Sequence, residues 1–220
     1  MDALILDFDG VLLESEYEGN RHLAELLSEL GHPTGVEEAL THFSGLSGAD
    51  FIAAIETRIG ATLPPEFHEL RAVEDRRVLR EGLAAVAGAV EFVRALPPEL
   101  PKAVASSSSV EWIATHLGHL GLRAAFGDHL YSGAQHVARG KPAPDLYWHA
   151  AAELGAPIDN CVIIEDSPVG ATGALASGAR VIGLVAGAHC LPGHDQRLRA
   201  LGVREIANGF DEVRRLLGLS

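Results

Sequence analysis

Two short stretches put paired acids where an apolar run stops. Asp7-Phe8-Asp9-Gly10-Val11 follows Ala3-Leu4-Ile5-Leu6, and Glu165-Asp166-Ser167-Pro168 follows Val162-Ile163-Ile164. Carboxylates set directly after a buried strand are costly unless a cation or hydrogen-bond partners compensate them. Two further segments offer such partners. Ser106-Ser107-Ser108 follows the run Lys102–Ala105, and Ser108 with Glu111 has the spacing of a capping box, so a helix start with free N–H groups suited to a phosphate is expected there. Gly140-Lys141-Pro142-Ala143-Pro144 holds a lysine among prolines that restrict its backbone. Oxygen ligands without His or Cys select Mg²⁺. Together with a lysine and a helix N-terminus they suit a transferring phosphoryl group, whose charge sits on its equatorial oxygens.

Each segment alone has a plainer reading: a solvated turn, a helix cap, a surface lysine, acids that complement a helix dipole. Their joint occurrence at strand ends is what points to chemistry. The strands expected are Ala3–Leu6, Lys102–Ala105, His129–Tyr131, Val162–Ile164 and Arg180–Leu184. Helical patterns follow at Ser109–Leu117, Pro144–Leu154, Pro168–Ser177 and Phe210–Leu217. This alternation predicts right-handed βαβ units and an α/β fold with a doubly wound, Rossmann-like parallel sheet, whose ligands bind at the carboxyl ends of the strands.

Residues 15–82 break the alternation, since they carry helical patterns without strands. Ser15 with Glu18 starts one helix, striped by Leu23, Leu26, Leu27 and Leu30 and closed by Gly31. Ser47 with Asp50 starts a second, and Pro64-Pro65 a third that runs into Glu74–Arg80. The expected division is a catalytic core of 1–14 and 83–220 with an all-helical cap, 15–82, inserted as a lid after the first strand.

Composition narrows the function classes. The 220 residues carry a net charge of −13, which argues against nucleic acid as a partner. No stretch approaches a membrane-spanning apolar run, and the N-terminus has no leader-like pattern. Two cysteines, Cys161 and Cys190, form no disulfide framework. The expectation is a cytoplasmic protein, monomeric or weakly dimeric, whose partner is a small phosphorylated metabolite.

Through Asp7-Phe8-Asp9-Gly10-Val11, Ser106, Lys141 and Glu165-Asp166, the chain resembles the haloacid dehalogenase superfamily over essentially its whole length, specifically the phosphatase and phosphomutase branch with a helical cap. The resemblance implies that Asp7 is the nucleophile and forms an aspartyl-phosphate. It implies that Asp9 is the general acid and base, and that Ser106, Ser107 and Lys141 hold the phosphoryl group. Mg²⁺ would be bound by Asp7, the Asp9 carbonyl and Asp166, with Glu165 as a direct or water-mediated ligand. In β-phosphoglucomutase relatives, cap residues gate the general acid. By ungapped count that branch's cap histidine falls on Gly19 here and its cap arginine near Gly48, which favours a phosphatase of sugar or sugar-acid phosphates over a mutase. A catalytically silent sugar-phosphate-binding module is the third reading. Asn20, His22 and Ser47 are the candidate cap-side substrate contacts. Trp112 and Trp148 read as packing residues, and Arg71, Arg76, Arg77 and Arg80 as a solvated helix face.

Overall fold

The computed structural model describes residues 1–44, 46 and 48–219. In chain order the elements are β1 (Ala3–Leu6), α1 (Ser15–Glu29), α2 (Val36–Phe43), α3 (Gly48–Ile59), α4 (Pro65–Glu81), α5 (Ala89–Ala95), β2 (Lys102–Ser106), α6 (Val110–His119), α7 (Arg123–Phe126), β3 (Leu130–Ser132), α8 (Asp145–Glu153), β4 (Cys161–Glu165), α9 (Pro168–Ser177), β5 (Arg180–Leu184), α10 (His194–Leu201), β6 (Glu205–Ala207) and α11 (Phe210–Leu217). They form two compact units, Met1–Glu14 with Ala84–Ser220, and Ser15–Leu83.

The first unit is built on one parallel sheet in the order β3-β2-β1-β4-β5-β6. β1 lies between β2 and β4, with Leu6 level with both Val104 and Ile164. Its four residues are all buried, as are those of β2 and β4, which is why these strands read as continuous apolar runs without alternation. From β1 the chain adds β2 and β3 on one side, then returns to add β4, β5 and β6 on the other. The boundary between β1 and β4 is therefore the topological switch point, the crevice where open α/β sheets bind ligands. The two acid pairs lie at the carboxyl ends of these two strands. Beneath them, Ile5, Ile163, Ala105, Tyr147, Ala171 and Ala174 share one apolar cluster.

The second unit consists of α1 to α4 around Leu23, Leu27, Phe43, Ile55 and Phe67. The stripe expected on α1 is the buried face. Arg77 pairs with Glu74 at 2.7 Å and with Glu81 at 3.0 Å, an exposed network on α4, whereas Arg71 lies over the Phe51 ring at 5.6 Å. The expected Ser47 cap lies outside the described residues. Among the described residues, no helix is long and apolar enough to cross a membrane.

The expected strands are present, with ends displaced by at most one residue. β6 was not anticipated: it is three residues long and half-buried at the sheet edge, too short for a periodic signal. α2, α5, α7 and α10, also unanticipated, span eight residues or fewer. Ile163 is fully buried at the centre of the sheet. Ile163→Ala is expected to cost about 2–5 kcal/mol in chemical denaturation. A loss within error of zero would contradict the assigned core.

Candidate active site

Asp7 directly follows β1, and its N–H donates to the Ile164 carbonyl at 3.0 Å, so the first acid is hydrogen-bonded to the strand that carries the second pair. Lys141 reaches in from the β3–α8 loop. Its Nζ donates to Asp7 Oδ1 at 2.6 Å and to Glu165 Oε1 at 2.6 Å, with 4% of the side chain exposed. Burial alone would lower its pKa, but the Asp7 and Glu165 charges outweigh that and hold it well above the ordinary lysine value. Lys141 is an ammonium ion.

Glu165 has little freedom. Oε1 accepts from Lys141 and from the Tyr147 hydroxyl at 2.9 Å. Oε2 accepts from the Ser167 N–H at 3.0 Å and the Ser167 hydroxyl at 3.1 Å. Ser167 in turn caps α9 by accepting from the Gly170 N–H at 3.0 Å, and Pro168 opens the helix, as expected. A Cβ at Gly170 would overlap the Glu165 carboxylate, so the helix can pass this close only with glycine there. Asp166 faces the loop after β5. His189 Nε2 lies 2.8 Å from its Oδ2, and His194 Nε2 donates to its carbonyl at 2.6 Å. Arg197 donates to His194 Nδ1 at 2.9 Å, and burial lowers the His194 pKa. Gly10, at φ +82°, closes the opposite side: a Cβ there would strike Asp166 Oδ2 and the His189 ring.

Asp9 is turned toward the loop after β2. Oδ2 accepts from Ser106 Oγ at 3.0 Å and Ser108 Oγ at 2.6 Å, and Oδ1 accepts from Trp112 Nε1 at 3.1 Å. Two expectations are corrected here. Ser108 does not cap α6, because its hydroxyl is committed to Asp9; Ser109 is the cap, accepting from the Trp112 N–H at 3.2 Å. Trp112 is a hydrogen-bond donor to a motif acid as well as a packing residue, backed by the buried His116 ring at 4.2 Å. Ser106 Oγ also accepts from the Ser108 N–H at 3.0 Å, whereas Ser107 is exposed in the loop.

The structure thus gathers Asp7, Asp9, Ser106, Lys141, Glu165 and Asp166 at one end of the sheet. Asn20 and His22 lie on α1 of the helical unit, and Ser47 is outside the described residues. The Asn20 amide donates to the Glu16 carbonyl at 2.8 Å and to Ser44 Oγ at 3.2 Å, which ties α1 to the end of α2. Tyr147, His189 and His194 were missed, and Ser108 and Trp112 were read only as a cap and as packing. The histidines had one usable signal: they follow β5, the neighbour of β4.

Asp7, Glu165 and Asp166 each offer an oxygen, all within 4.8 Å of one another. Burial, then the charges of Glu165, Asp166 and Asp9, raise the Asp7 pKa well above the ordinary carboxylate value despite Lys141. Several buried acids face one ammonium, an all-oxygen set short of positive charge. These residues fit a hard divalent cation such as Mg²⁺.

A sequence model of the haloacid dehalogenase-like hydrolases matches residues 1–178. The chain belongs to this family. It is 28% identical over 193 residues to 6-phosphogluconate phosphatase of Escherichia coli K12, covering 87% of this chain and 86% of that one. Hexitol phosphatase A of the same organism is 30% identical over 185 residues, covering 82% and 81%. Among solved structures, a haloacid dehalogenase family hydrolase from Deinococcus radiodurans R1, crystallised with phosphate and sodium, superposes with a TM-score of 0.87 at 32% identity, covering 99% of this chain and 95% of that one.

The raised Asp7 pKa has a consequence for stability. Between the unfolded carboxyl value, about 4, and the higher native value, the native state binds more protons than the unfolded chain, so stability falls as pH rises through that window. In chelator, the melting temperature is expected to drop as pH is raised from about 5 toward neutrality, and saturating Mg²⁺ is expected to restore more at the upper end. A Mg²⁺ shift that is largest at the acid end would contradict this assignment of charge.

Proposed function

We propose that the protein is a Mg²⁺-dependent phosphatase that hydrolyses small phosphorylated metabolites, sugar or sugar-acid phosphates, through an aspartyl-phosphate. The observation that carries this reading is the buried Asp7–Lys141 pair at 2.6 Å beside Asp166, at the switch point of the sheet. Two relatives named for sugar-acid and hexitol phosphate hydrolysis support the substrate class.

In this reading Asp7 attacks phosphorus as the bond to the leaving oxygen breaks, and Asp9 gives that oxygen its proton. Asp9 then takes a proton from the water that hydrolyses the aspartyl-phosphate, which regenerates Asp7 and releases inorganic phosphate. Asp9 must exchange its present donors, Ser106, Ser108 and Trp112, for the reacting oxygens. Lys141 orients Asp7 and offsets charge on the phosphoryl oxygens, with Ser106 and the loop through Ser107 as further donors. Asp7, the Asp9 carbonyl and Asp166 would hold Mg²⁺, which supplies charge neutralisation at the phosphoryl group. We assign Glu165 to the lysine and not to the ion, because its oxygens already accept four hydrogen bonds. Selection of the organic part is assigned to the helical unit, where His22 is the residue to test.

Inorganic phosphate release should be measured across sugar, sugar-acid and glycolytic phosphates, with and without Mg²⁺. Release from at least one ester, lost in chelator and in Asp7→Asn, is expected. Isomer formation dependent on a bisphosphate would support a mutase, and silence on every ester a binding module. Asp9→Asn is expected to lower kcat by about 10²–10⁴-fold with Mg²⁺ affinity kept, since its carbonyl is unchanged. Full activity in that variant would remove the proton role.

A further inference from the structure

The loop after β5 carries a second group of potential ligands that phosphoryl transfer does not use. His189, Cys190 and His194 each offer one ligand atom, all within 4.8 Å of one another. Cys190 Sγ lies 3.4 Å from His189 Nε2. A thiolate and an imidazole on one tetrahedral ion, bound at about 2.3 Å and about 2.0–2.1 Å, sit about 3.5 Å apart. The pair therefore stands at ligand spacing already. His194 donates Nε2–H to the Asp166 carbonyl, the backbone bond that typically orients a ligating imidazole, and to ligate through Nδ1 it would exchange its bond from Arg197 for the ion. Cys190 is half-buried, while His189 and His194 are buried. Two imidazoles and a thiol are the opposite of the oxygen set around Asp7. Such donors suit Zn²⁺, Co²⁺ or copper and not Mg²⁺.

We infer that His189, Cys190 and His194 form a binding site for a soft divalent ion, Zn²⁺ first, and that filling it opposes Mg²⁺ binding at the neighbouring acids. The second half rests on the function proposed above; the first does not. His189 Nε2 faces Sγ and is also the nitrogen 2.8 Å from Asp166 Oδ2. An ion bridging imidazole and thiolate takes that nitrogen, so Asp166 loses its contact with His189 and gains a cation that draws it away from Asp7. The antagonism is reciprocal by linkage: Mg²⁺ that fixes Asp166 disfavours the soft ion. A redox role for the same thiol fits less well. Burial and the Asp166 charge push the Cys190 thiol up to about 12, which leaves little thiolate to react with oxidants. Coordination removes that proton directly. The other cysteine, Cys161, is buried at the start of β4, where its Sγ donates to the Pro157 carbonyl at 3.3 Å.

The test is a titration of the metal-free full chain with Co²⁺, followed by absorbance. A thiolate-to-cobalt charge-transfer band in the near ultraviolet, displaced by Zn²⁺ and lost in Cys190→Ser, is expected. Absence of the band in the native protein, or its persistence in Cys190→Ser at unchanged melting temperature, would overturn the site. In parallel, Zn²⁺ should suppress phosphate release from the native protein, excess Mg²⁺ should relieve it, and Cys190→Ser should be suppressed only at clearly higher Zn²⁺. Equal suppression of both proteins would overturn the antagonism. The band expected here without phosphate release from any ester would keep the metal site and discard the proposed activity.

Discussion

One ammonium ion shared by two carboxylates sets the terms for this site. Lys141 stands 2.6 Å from both Asp7 and Glu165, almost wholly out of water. Buried ion pairs persist only where further hydrogen bonds satisfy the remaining lone pairs. At Glu165 they do, through Tyr147 and Ser167. Burial, and then the negative charge of Glu165, Asp166 and Asp9 that Lys141 does not offset, raise the Asp7 pKa even beside an ammonium. In the function proposed above, a region in this state needs a divalent cation before it can take a phosphoryl group.

The fold produces this arrangement with short-range devices. Parallel pairing of β1 with β4 sets Leu6 level with Ile164, so the residues that follow each strand emerge together. Small residues then let α9 approach. Gly170 leaves room for the Glu165 carboxylate, and a Cβ on Gly173 would come within 2.9 Å of the Ala143 carbonyl in the loop that carries Lys141. Tyr147, on the helix that follows that loop, spans from Glu165 to the Gly170 carbonyl, at 2.9 and 3.2 Å. Lysine loop, acid strand and capping helix thus share one set of contacts, and none of the three can shift alone.

The acid pairs and the serine loop were legible in the sequence because each sits where an apolar run ends, and the lysine because prolines flank it. A strand buried on both faces leaves such a run, and the end of a parallel strand is where a site forms. The residues that hold those groups in place were not legible. Tyr147 and Trp112 occupy helix positions that packing alone would explain, and only the fold reveals that a hydroxyl and an indole N–H meet Glu165 and Asp9. Ser108 had the spacing of a cap, but Asp9, distant in sequence, competes for the same hydroxyl, and the capping role passes to Ser109. His189 and His194 carry no periodic pattern. Their relation to Asp166 depends on β5 lying beside β4, a matter of strand order.

The balance of charge around Lys141 is tested most directly by calorimetric titration of Mg²⁺ into the metal-free protein in neutral buffers of differing ionisation enthalpy. The dependence of the observed heat on buffer counts the protons released. Binding accompanied by proton release, and strengthening as pH rises, is the predicted result, because burial and the neighbouring acids raise the Asp7 pKa in the metal-free protein and a bound cation lowers it. Mg²⁺ binding with no proton release and no change with pH, or no binding at all, would contradict it.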